Sequence, residues 1–146
     1  MKEDLGHTIA FIQATLERVS IHAGAIQAAL DAYCRDVASP GRPLSSALRS
    51  KVSERELEDA VRDLARTREL IREWGVPPDT GWAVGCCYLY EGILSLGLLA
   101  LRPGTPELYG RVITCLGEAI SACQEHHAQA ARVRQLMKRL FDEGVL

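Results

Sequence analysis

Apolar residues at the start of the chain, Leu5, Ile9, Ile12, Leu16, Val19, Ala23, Ile26, Leu30, Tyr33 and Val37, succeed one another at intervals of four and three. That rhythm keeps a single stripe of a helix turned toward a partner helix, so it predicts one long amphipathic helix over about 4–37. Pro40, Gly41 and Pro43 end it, and a loop over 38–52 follows, with room for one short turn around Leu44 to Arg49. Ser53 with Glu56 has the form of a capping box, and Leu57, Ala60, Val61, Leu64 and Ile71 carry an apolar face as far as Trp74. A second helix is therefore expected over 53–74.

Pro77 and Pro78 force a connection into a third helix over 80–101, which Arg102, Pro103 and Gly104 stop. Thr105 as cap and Pro106 as first helical residue open a fourth over 105–141. Its seam runs Tyr109, Val112, Leu116, Ala119, Cys123, His126, Ala130, Val133, Met137 and Leu140, again without a miss. The fold expected is a single all-α domain over 1–146: an antiparallel up-down-up-down four-helix bundle with helices one and four long and helices two and three short.

The lengths differ by enough to matter. At ~1.5 Å per residue the long helices span roughly 50 Å and the short ones roughly 33 Å, so the long pair should protrude. Ile9, Ile12, Val133, Met137, Leu140 and Phe141 would then lack neighbours within the chain, and a second subunit or a different protein is the expected cover.

The third helix is apolar nearly all round, with Glu91 its one charged residue between Trp82 and Leu101. Twenty such residues can cross a bilayer, yet the other three helices have seams that need a helical partner, so the centre of a bundle is the better place for it. Gly81, Gly85 and Gly92 lie near one line of its surface and suit a close helix approach. A buried Glu91 needs a partner, and Arg62, Arg66 and Arg111 sit at suitable helical levels.

Composition narrows the rest. The chain has 146 residues, 47% hydrophobic and 25% charged, with a formal net charge of −2, which offers no general pull toward nucleic acid. No apolar leader follows the amino terminus, and five cysteines in mostly apolar helical segments do not read as a disulfide framework, so a cytoplasmic address is expected.

Cys123, His126 and His127, three and four residues apart on one helix, could hold a transition metal, with His22 of the first helix brought alongside. No other metal-ligand spacing accompanies them, and Glu-x-x-His, Cys-x-x-Cys, phosphate-binding glycine loops and the Gly-x-Ser-x-Gly elbow are all missing. No cofactor is expected on that basis. Arg62, Arg66, Arg68 and Arg72, and at the other end Arg132, Arg134, Lys138 and Arg139, read as solvated helix faces more readily than as a nucleic-acid surface.

The functional expectation is a non-enzymatic, homo-oligomeric helical protein acting by protein-protein contact as a regulatory, adaptor or assembly subunit. A metal or redox bundle and a small subunit of a nucleic-acid-binding complex are the alternatives.

Overall fold

The computed structural model describes residues 2–35, 44–74 and 80–146, with side chains from residue 6 onward. The expected breakers between residues 36 and 43 and the Pro77–Pro78 connection lie outside the described residues. Those described form an all-helical, packed structure: α1 (Lys2–Arg35), α2 (Leu44–Arg49), α3 (Glu54–Trp74), α4 (Thr80–Leu101), α5 (Pro106–Ala122), a 3-10 turn (Gln124–His126) and α6 (His127–Asp142).

Local chemistry sets several of these ends. The Glu56 amide donates to Ser53 Oγ at 3.1 Å, which caps α3. Thr105 occupies the cap position of α5 in extended conformation, but its hydroxyl donates back to the Arg102 carbonyl at 2.8 Å and caps no amide. The end of α6 closes on Gly144, whose φ of +74° lets the Val145 amide reach the Leu140 carbonyl at 3.0 Å. Val145 and Leu146 thereby fold back against the core.

α4 is the central element. Between Ala83 and Leu101 only Tyr88 and Tyr90 are not buried, and α3 and α5 with α1, α2 and α6 share its surface. Tyr88 and Glu91 meet α3 through Arg72 and Arg68. A Cβ on Gly92 would lie 3.2 Å from Leu116 of α5, and one on Gly97 3.0 Å from Ile26 of α1. Gly92 therefore works as expected for that face, by bringing α5 close to the helix axis. The helix is long and apolar enough to cross a membrane by length and composition, and 89% of its apolar window is buried inside the protein.

The fourth expected helix is two helices. Cys123 leaves the helical region at φ −157°, ψ 121°, and the chain turns through Gln124–His126 before α6 begins. Tyr109 near the start of α5 and Phe141 near the end of α6 then stand with ring centroids 5.6 Å apart, so the two helices run antiparallel as a hairpin. α6 in turn runs parallel to α1, pairing Gln129 with Gln27 at 3.3 Å and Arg139 with the Cys34 carbonyl at 2.7 Å. Helix one is continuous over Lys2–Arg35, while the expected continuous helix four is replaced by two shorter elements packed together.

The reversal also closes the expected overhang. Ile12, Val133, Met137 and Leu140 are at most 1% exposed within the chain itself, and Ile9 is half-buried. Doubling back lets α6 bury its seam on its own core where a straight rod would have carried it past the end of α4.

Candidate interaction surface

The proposed metal ligands fall on different elements. Cys123 is half-buried in the extended link, His127 is exposed at the first residue of α6, and His22 is half-buried on α1. The three- and four-residue spacing required one helix through 123–127, which the chain does not form. Among the described residues no three His, Cys, Asp or Glu side chains come together in a metal-holding group.

His126 has a structural position instead. Its ring lies over Gly85, where a Cβ would fall 2.4 Å from Cδ2 and 2.8 Å from Nε2. Nε2 sits 3.0 Å from the Trp82 carbonyl and 3.8 Å from Cys86 Sγ, and the ring stands 5.8 Å from the Trp82 indole. Gly85 is therefore a notch in α4 that receives the side chain at the α5–α6 turn. Burial pushes the Cys86 thiol up to about 12, so the neighbouring sulfur stays protonated. Burial does the same to Cys87 and Cys115, each raised to about 12, which leaves these three thiols without nucleophilic character at neutral pH.

Glu91 finds a partner that helical level alone did not identify. Arg68 Nη1 donates to Glu91 Oε2 at 2.6 Å, with both side chains largely buried. The Arg68 guanidinium lies 4.3 Å from the centroid of Tyr88, while Arg72 donates to the Tyr88 hydroxyl at 2.7 Å. Burial disfavours the Arg68 charge, but the hydrogen bond and charge of Glu91 outweigh it and hold its pKa above the ordinary value. Arg62 is occupied with Asp59 at 3.4 Å and Arg66 stacks 5.7 Å from Phe11. All four α3 arginines of the candidate nucleic-acid face are thus engaged within the chain.

An apolar groove opens where three helix ends meet. Leu99, Gly104, Thr105, Pro106, Tyr109, Phe141 and Leu146 line a cavity of about 360 Å³ where α4 ends, α5 begins and α6 finishes. Phe141 is 56% exposed, the one expected interface residue that keeps a large exposed surface, and Tyr109 is 36% exposed. Sequence reasoning placed Phe141 on a protruding rod; its real neighbours, Tyr109 and the back-folded Leu146, follow from the hairpin, which no local signal marks. Comparison with protein-family models, curated proteins and solved structures finds no match to this chain.

Proposed function

We propose that this protein acts without catalysis, through protein-protein contact, as a regulatory, adaptor or assembly subunit of the cytoplasm, and that it self-associates through the groove around Phe141 and Tyr109. What supports the reading is the groove itself. Two aromatic rings stand half in water beside Leu99, Pro106 and Leu146, while the rest of the α6 seam is buried. Aromatic side chains at the centre of an apolar patch are the usual anchors of an interface. The engaged arginines of α3 and the protonated state of the three buried thiols both favour contact over nucleic-acid binding or thiol chemistry.

Amide hydrogen exchange at low and high protein concentration tests it. Self-association predicts slower exchange at high concentration in 106–110 and 139–146, with α3 unchanged. Exchange independent of concentration throughout would refute self-association through this groove.

A further inference from the structure

We propose that the cleft between the end of α1 and the outer face of α6 binds a phosphomonoester. Asp31, Cys34 and Arg35 of α1 and Arg132, Gln135 and Arg139 of α6 line a cavity of about 510 Å³, floored in part by Leu136. Three guanidiniums line it beside the Asp31 carboxylate, with Glu143 paired to Arg139 at its edge, in a chain whose net charge is −2. The positive charge is concentrated, not a general property of the surface.

The arginines differ in what holds them. Arg139 is fixed from two sides, its Nη2 donating to the Cys34 carbonyl at 2.7 Å and its Nε to Glu143 at 3.3 Å. It thereby answers the negative end of the α1 dipole, which accounts for one cation at this position. Arg35 and Arg132 form no ion pair among the described residues, although Arg35 stands one turn from Asp31 on the same helix. Arg132 and Arg139, seven residues apart, project from one face of α6. Two planar forks with no ion pair among the described residues stand beside a fixed one, and guanidinium binds a phosphate dianion bidentately.

The size of the cleft and Asp31 define the remainder of the ligand. The cavity is larger than a bare phosphate, and the Asp31 carboxylate inside it can accept hydrogen bonds from hydroxyl groups. The ligand class is therefore a phosphate ester bearing hydroxyls, either a soluble metabolite or the headgroup of an acidic lipid. The cleft shares no lining residue with the Phe141 groove, so the two readings stand or fall separately.

Glycerol 3-phosphate, inorganic phosphate and glycerol, titrated calorimetrically into the full chain, test the assignment. Phosphatidylcholine vesicles with and without phosphatidic acid supply a lipid arm. Saturable binding of glycerol 3-phosphate, tighter than inorganic phosphate and absent for glycerol, is expected. R132Q should weaken it by about tenfold or more, the loss of one charge-assisted contact. D31N should weaken glycerol 3-phosphate while leaving inorganic phosphate equal or tighter. Both positions lie at the surface of folded helices, and unchanged melting of the unliganded variants verifies that. Binding confined to phosphatidic acid vesicles and lost in the R35Q/R132Q double variant assigns the lipid source. Binding to neither probe, or binding that the double variant leaves intact, overturns the proposal.

Discussion

Gly85 and Glu91, two turns of α4, illustrate how single residues decide this structure. A methyl group at Gly85 would collide with the buried His126 ring and approach the Ala119 carbonyl to 3.2 Å. Gly85→Ala is expected to cost about 1–3 kcal/mol by overpacking, read by urea denaturation, and a second change of His126→Ala should recover part of that loss. Gly117 meets nothing within 4 Å of a built Cβ, so Gly117→Ala should instead stabilise by about 0.5–1 kcal/mol.

Removing one member of the Arg68–Glu91 pair strands the other in a mostly buried site. Glu91→Ala should therefore cost on the order of 3 kcal/mol, whereas replacing both by apolar residues of similar volume should be close to neutral. The buried thiols set a pH dependence. Cys86, Cys87 and Cys115 are raised from 9.0 to about 12 in the folded chain, so the unfolded state loses its thiol protons first as pH climbs. Their contribution is complete below pH 9 and falls between 9 and 12. Urea midpoints should drop across that interval, and a Cys87→Ala, Cys115→Ala variant should show a shallower fall.

At the scale of elements, α1, α3 and α4 were legible because each carries its own punctuation: Ser53 caps α3, and Arg102, Pro103 and Gly104 follow α4. The central place of α4 was legible too, since a helix apolar on every side has to be surrounded by other helices. The α5–α6 break was not. No proline or glycine stands between Ser121 and His127, and the three-four rhythm runs through the turn in phase, with Ala119 and Ala130 both buried on either side of it. What opposes a straight helix is tertiary: the notch at Gly85 accepts His126, and doubling back buries Val133, Met137 and Leu140.

The Arg68 partnership escaped for a related reason: Arg66 and Arg68 differ by only ~3 Å along the helix axis, so a level argument cannot choose between them, although they face ~200° apart. Spin labels at the exposed positions 107 and 142 test the hairpin. The two sites should lie close together, whereas a continuous helix would separate them by about 52 Å, 35 residues at ~1.5 Å each.

At the scale of the molecule, a chain expected to leave two seams unpaired pairs them internally and keeps its exposed aromatic surface elsewhere. Phe141 and Tyr109 form one such surface at the open end of the hairpin, next to the residues where α4 stops and the carboxyl-terminal turn folds back. A contact built there would make the open end of the α5–α6 hairpin, and not the long axis of the helices, the site of association. Static light scattering of the wild type and of Phe141→Asp measures this most directly. The account predicts a mass approaching twice 16.0 kDa for the wild type as concentration rises and a monomer for the folded variant. A wild type that stays at 16.0 kDa, or a variant that associates as well as the wild type, would contradict it.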